Sequence, residues 1–295
     1  MTAPSIEPSI EQQTLALLAQ AFSRHAAPRV RALHLPPARP EDSTAGESCA
    51  IELDDGSLGL SYVLYGQTLP ALRQLNGSQA TWAGADAMHL LQGCLQSPTA
   101  HHGVPRMDDK GVLRTLGFAV LNALTASLMR RAGWRPPDAP DSIAGLDPQP
   151  GEHIAMVGFF KPLFKTVQER GARLTVLELR EDLLGDHDGV HVTSDPQVLQ
   201  QCSKVLATGT VLINGSLPGL LALAQNASRF ALVGPSAGAL PDALFAAGVT
   251  DLAGAWVEDG RGFAESLRCG QSRGKTARKF LIRAADWPGV ASLLA

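Results

Sequence analysis

The stretch His153–Glu181, HIAMVGFFKPLFKTVQERGARLTVLELRE, decides the architecture. A short apolar run, His153–Val157, reads as a strand, Pro162–Arg170 as a helix, and Arg173–Leu179 as a second strand. Downstream the alternation continues with helix Pro196–Cys202, strand Lys204–Ala207, helix Leu217–Gln225, strand Phe230–Val233 and helix Pro241–Ala247. A strand around Leu252–Val257 follows, and a helix and strand close the pattern before residue 284. Short apolar strands alternating with helices predict an α/β fold: a Rossmann-like parallel sheet with helices on both faces and right-handed crossovers.

Upstream the pattern is different. Ser9 with Gln12 forms a capping-box signature, and Leu15, Leu18 and Phe22 follow at helical spacing. Residues 29–35, 48–54 and 58–64 read as β runs, with Asp55-Gly56 as the hairpin turn between the second and third. This predicts a three-stranded antiparallel meander, followed by helices near 69–75, 84–95 and 112–131. The last carries Leu113, Leu116, Val120, Leu124 and Leu128 on one face, a core pattern. Gly133 to Gly151, GWRPPDAPDSIAGLDPQPG, is dense in residues that break both helix and strand. The expected organisation is an N-terminal α+β domain over 1–135, a linker at 136–150 and a Rossmann-like ligand-binding domain over 151–295.

Bulk properties narrow the function classes. At 295 residues, 45% hydrophobic and 18% charged, the chain has globular composition and length for two cores. A net charge of −3, with no long run of like charge, disfavours nucleic acid as a partner. Cys49, Cys94, Cys202 and Cys269 show no Cys-x-x-Cys spacing and read as free thiols. Met-Thr-Ala-Pro-Ser has no signal-peptide character, and no stretch reads as a membrane span, so the expected location is the cytoplasm, with a homo-oligomer left open.

In such a sheet a ligand lies beyond the carboxyl ends of the strands. The loops there read Gly158-Phe159-Phe160-Lys161, Glu178 to Glu181, Thr208-Gly209-Thr210 running into Asn214-Gly215-Ser216, and Gly234-Pro235-Ser236-Ala237-Gly238. Glycines let a backbone approach a ligand, and hydroxyls with free N–H groups suit a carboxylate or phosphate. Any one such loop is ordinary turn chemistry; several together point to a small anionic ligand. Glu178 falls about 20 residues after Gly158, where a dinucleotide fold places its ribose-binding acid. The first loop, with a single glycine and two phenylalanines, disfavours NAD and FAD.

Three further motifs are weaker. Gly234 to Gly238 matches the Gly-x-Ser-x-Gly nucleophile elbow around Ser236, yet no histidine follows His191 to serve as base. Gly270 to Thr276, GQSRGKT, is one residue short of a phosphate-binding P-loop and reads as a solvated loop. His101-His102 and the Gly185-to-His191 stretch, with Asp186, His187 and Asp188, have metal-ligand residue types but read as polar surface loops.

Together VGFF-P (Val157 to Phe160, Pro162), VLELRE (Val176 to Glu181), TGTVLINGSLPGLL (Thr208 to Leu221), VGPSAGALP (Val233 to Pro241) and GVTDLAGAWVED (Gly248 to Asp259) resemble a bacterial and archaeal family described by heavy-metal chelation. In the N-terminal half, LGFAVLNAL (Leu116 to Leu124) resembles that family's helix with an asparagine near its centre, here Asn122. Two departures stand out: the NGT-type turn is Asn214-Gly215-Ser216, and Ser-Ala-Gly after Pro235 is less polar than usual. The resemblance implies an N-terminal domain similar to the small domain of enolase, a Rossmann-like C-terminal domain, and a ligand cleft between them. A transition-metal ion, or a metal complex of the anionic ligand, is the implied cargo. The expected ligand-binding set is Gly158, Phe159, Glu178, Thr208, Gly209, Thr210, Asn214, Gly234, Pro235, Ser236 and Asn122. The competing expectations are an enzyme using Glu178 or Glu181 as general base, and a scaffold whose cleft is only an interface.

Overall fold

The computed structural model describes residues 8–23, 26–38, 47–64, 66–77, 82–95, 110–272 and 274–294. His101-His102 and Arg273 of the GQSRGKT stretch lie outside the described residues.

The chain opens with helix α1 (Ile10–Ala21), whose capping box is formed: Ser9 Oγ accepts from the Gln12 N–H while Gln12 reaches back to Ser9. Strands β1 (Val30–His34), β2 (Ser48–Leu53) and β3 (Leu58–Tyr62) make an antiparallel sheet in sequence order, with Gly56 at φ +83° in the β2–β3 turn. Helices α2 (Thr68–Gly77), α3 (Ala87–Leu95) and α4 (Lys110–Arg131) follow. The meander-then-helices order matches the sequence expectation.

Helix α4 is buried nearly all round, with Leu116, Phe118, Ala119, Val120, Leu121, Ala123 and Leu124 all inside. By length and composition alone Gly111–Arg131 is apolar enough to cross a membrane, which the sequence reading did not register. Here 89% of its most apolar window is covered by protein. Close packing on the small sheet depends on Gly59, where a Cβ would fall 2.0 Å from the Ala123 nitrogen and 2.2 Å from the Ala119 oxygen.

The second half builds an eight-stranded sheet from β4 (His153–Val157), β5 (Arg173–Leu177), β6 (Gly185–His187), β7 (Val190–Thr193), β8 (Lys204–Thr208), β9 (Arg229–Val233), β10 (Asp251–Val257) and β11 (Ala277–Arg283). Between them run α5 (Lys161–Gln168), α6 (Thr210–Ile213), α7 (Leu217–Leu223), α8 (Pro241–Ala246) and α9 (Gly260–Arg268), and α10 (Val290–Leu293) ends the chain. The order is β11-β10-β9-β8-β4-β5-β7-β6, parallel from β10 to β7 and antiparallel at both edges.

Two elements differ from the sequence reading. Gly185–His191 is no loop: β6 and β7 form a hairpin whose two-residue turn places Asp188 at φ 51° and Gly189 at φ 76°. Pro196–Gln201 is a 3-10 turn, shorter and tighter than the helix expected there.

Each face of the large sheet is buried. One face carries Ile154, Met156, Val176 and Leu206 against Phe164 and Val167 of α5 and against Ile143 and Leu146. Residues 137–139 also hydrogen-bond along β11, through Ala139 N–H to Lys279 O and Leu281 N–H to Pro137 O. The other face carries Val205, Ala207 and Leu232 into a cluster continuous with Leu18 of α1 and Leu124 of α4.

Candidate functional site

From β4 the chain steps to β5 and β7 on one side, then returns to β8, β9 and β10 on the other. The order of parallel strands, third-second-first-fourth-fifth-sixth, puts the switch point between β4 and β8, where open α/β sheets place their ligands. Gly158 ends β4 there at φ +96°, and a Cβ on it would lie 3.1 Å from Thr208 Cγ2. Only glycine lets the two loops approach this closely in that backbone conformation. Opposite, Thr208 Oγ1 accepts from the Thr210 N–H at 3.3 Å and the Thr210 hydroxyl at 3.1 Å. That arrangement leaves the Thr208 hydroxyl proton for another acceptor.

Glu178 closes the β5 side. Its Oε2 accepts from the Phe159 N–H at 3.1 Å, and its Oε1 from the N–H groups of Leu179 at 2.7 Å and Arg180 at 3.1 Å. The carboxylate thus shapes both loops, and three of its lone-pair positions are committed to main chain. Phe159 is set edge-to-face between Phe164, 5.1 Å away, and His187, 5.5 Å away, so its ring packs as part of the wall.

Tyr62 ends β3. Its N–H donates to Ser236 Oγ at 2.9 Å, tying the small sheet to the β9 loop. Burial pushes the Tyr62 phenol pKa up; the Arg180 charge opposes this, and Glu47 and Glu178 reinforce it. The phenol therefore keeps its proton well above neutral pH and shares an electrostatic neighbourhood with Glu178 and Arg180. Arg180 is exposed and holds Asp182 at 2.6 Å.

The remaining expected residues are placed elsewhere. Ser236 is fully buried as acceptor for Tyr62, so it is not the exposed tip of a nucleophile elbow. Asn122, 4% exposed, donates through Nδ2 to Leu60 O at 2.6 Å and Pro235 O at 3.3 Å. Its Oδ1 has no partner among the described residues, and Asn122 lines a cavity of about 20 Å³, room for one water. Gly209 is a contact point between loops: a Cβ there would sit 2.8 Å from the Ala237 nitrogen. Gly234, at φ +114°, makes the turn out of β9.

Asn214 lies at the far end of α6, lining a cavity of about 350 Å³ on the side of Arg114. The structure thus gathers Gly158, Phe159, Glu178, Thr208 and Thr210 at the switch point, leaves Asn122, Pro235 and Ser236 in the seam, and sends Asn214 to a second cavity.

Tyr62, Arg180 and Arg114 were absent from the sequence-derived set. Arg114 had a visible signal, a lone cation within an otherwise apolar helical stretch, whereas nothing local marks Tyr62. Its role comes from pairing with a serine 174 residues away.

Metal chemistry was tested against the donors present. Among the described residues no group of three or more His, Cys, Asp or Glu side chains converges. In the β6–β7 hairpin His191 pairs with Asp186 at 3.0 Å, and His187 Nε2 meets the Leu183 carbonyl oxygen at 2.8 Å. Those side chains have separate partners and build no common coordination point. Cys49, Cys94 and Cys202 are buried, and burial pushes their thiols up to about 12, 11 and 11, the opposite of the thiolate a soft metal requires.

These features define an α/β protein with an eight-stranded, mostly parallel Rossmann-like sheet and a small three-stranded antiparallel sheet. Residues 141–285 match the model of the DUF364 family, described as "Putative heavy-metal chelation". Two solved DUF364 proteins of unknown function are similar over nearly the whole chain. The one from Desulfitobacterium hafniense is 18% identical with a TM-score of 0.61, covering 93% of this chain and 98% of its own. The one from Pyrococcus horikoshii is 18% identical with a TM-score of 0.59, at the same coverages. At that identity the likeness establishes the fold. No curated protein matches the chain.

Proposed function

We propose that this chain binds a small anionic ligand, or a metal ion already complexed by such a ligand, at the switch point between β4 and β8. One observation carries the reading: Gly158 and the Thr208–Thr210 hydroxyl pair converge there, while Arg180 and Glu178 of the β5 loop act electrostatically on Tyr62. Hydroxyl protons and a guanidinium suit carboxylate oxygens, and the close glycine turn admits the ligand to the backbone. Any metal would arrive with its own donors, because the described side chains supply no coordinating trio. We take the chain as two domains, 1–135 and 151–295, joined by 136–150, with the crevice between them and the cytoplasm as its location. Glu178, committed to three N–H groups, is better suited to shaping the crevice than to acting as a general base.

The test is native mass spectrometry with elemental analysis of gently purified protein, followed by thermal-shift titration with citrate and with nickel citrate. Retained organic anion or metal complex is the expected result, with a rise in Tm on titration. In Thr208→Val and Arg180→Ala, apparent affinity should fall about tenfold each, the equivalent of one lost charge-assisted contact. Affinities unchanged in both variants would show that the anion binds elsewhere.

A further inference from the structure

A cavity of about 350 Å³ beside α6 shares no lining residue with the switch-point loops around Gly158, Thr208 and Glu178. Its size falls at the lower end of the roughly 300–1,000 Å³ typical of such sites. Phe118 and Leu121 of α4, Leu212 of α6, Leu217 of α7 and Leu244 of α8 give it apolar walls. Arg114 is 93% buried beside it, but its charge is already matched. It pairs with Glu11 Oε1 at 2.5 Å and donates to the carbonyls of Leu212, at 2.7 Å, and Ile213. A second formal charge would enter a site already neutral and largely apolar, which disfavours an ionic ligand.

Another polar group at the cavity wall is the Asn214 amide. Its Oδ1 accepts from the Ser216 N–H at 3.0 Å and the Ser216 hydroxyl at 2.7 Å, which fixes the side chain. No hydrogen bond from the Asn214 Nδ2 to a described residue accompanies these, and the Asn214 side chain is part of the cavity wall. From this we infer a second binding site, for an uncharged ligand with an apolar ring or branched body and one carbonyl-type acceptor that the Asn214 amide reads. The same short helix serves both places: Thr210 at its start bonds Thr208 in the crevice, while Leu212 and Asn214 wall the cavity. A ligand in the cavity would therefore hold α6 and, through it, the Thr208–Thr210 pair.

The experiment uses acetophenone and toluene as probes on the full chain, read by saturation-transfer NMR. Acetophenone is expected to bind, toluene to bind more weakly, and Asn214→Leu to remove the preference for the ketone while toluene still binds. Leu212→Phe and the rim variant Pro218→Phe, each shown to be folded by circular dichroism, should weaken both probes at least tenfold by filling the space. No binding of acetophenone to the unaltered chain, or equal binding to both filled variants, overturns the site. Binding is scored without any anion present, so failure of the crevice reading leaves this result standing.

Discussion

Ser236 and Tyr62 meet through one hydrogen bond between a buried hydroxyl and a main-chain N–H, and that bond fixes how the small sheet sits over the β9 loop. Ser236→Ala leaves the N–H without its partner in a closed site, which costs about 1–3 kcal/mol. Urea unfolding should show the midpoint fall with the slope unchanged; an unaltered midpoint would mean the bond carries no net stability. The Gly-x-Ser-x-Gly string reads the same whether its serine faces solvent or the seam. Only the partner strand decides, and that partner is remote in sequence. His153 gives a second test at this scale. Burial holds its pKa below the usual imidazole value and the nearby Arg173 charge adds to that, while Nδ1 accepts from Arg173 at 2.7 Å. A group that binds its proton less readily when folded contributes stability that is complete above its unfolded pKa of about 6.5 and is lost as pH falls below it. Chemical denaturation at about pH 7.5 and 5.5 should show the chain less stable at the lower pH, with the loss reduced in His153→Gln. An identical loss in the variant would place the sensitivity elsewhere.

At the scale of elements, α4 and β3 approach backbone to backbone, and Gly59 is the residue that permits it. In Gly59→Ala the methyl group would collide with main chain, which cannot rotate away as a side chain does. The expected cost is about 3 kcal/mol, or roughly 5–10 °C in Tm. A thermal melt within a degree of the unaltered chain would show that the sheet and helix slide apart freely. The sequence did reveal α4 and the meander, because hydrophobic spacing and Asp55-Gly56 are local signals. It also contained the β6–β7 turn in Asp188-Gly189, the same signature, and that turn went unread. Its glycines and polar side chains favour a polar surface loop instead, despite the metal-ligand residue types of Asp186, His187 and His191. The 3-10 turn at Pro196–Gln201 was less accessible, since six residues are too few for periodicity to separate 3-10 from α geometry.

For the whole molecule, the decisive feature is that the apolar cluster does not stop at the boundary between the two sheets. Leu18 and Leu124 share one contiguous core with Val205 and Leu232. Polar links reinforce it: Asn122 reaches Pro235 O, and Arg130 donates to Val257 O while stacking 4.8 Å from Trp256. The switch-point loops were legible because strand ends in a βα pattern announce themselves. The meeting of Tyr62 with the β9 loop was not, since no local pattern says which distant strand will reach Ser236. A core continuous across both units should make them unfold as one. Calorimetry is expected to give a single transition with calorimetric and van't Hoff enthalpies equal. Removing seam contacts in the double variant Arg130→Ala, Ser236→Ala should then separate the small-sheet unit from the large-sheet unit, producing two resolved transitions or a ratio above one. Two transitions in the unaltered chain would instead make the units independent.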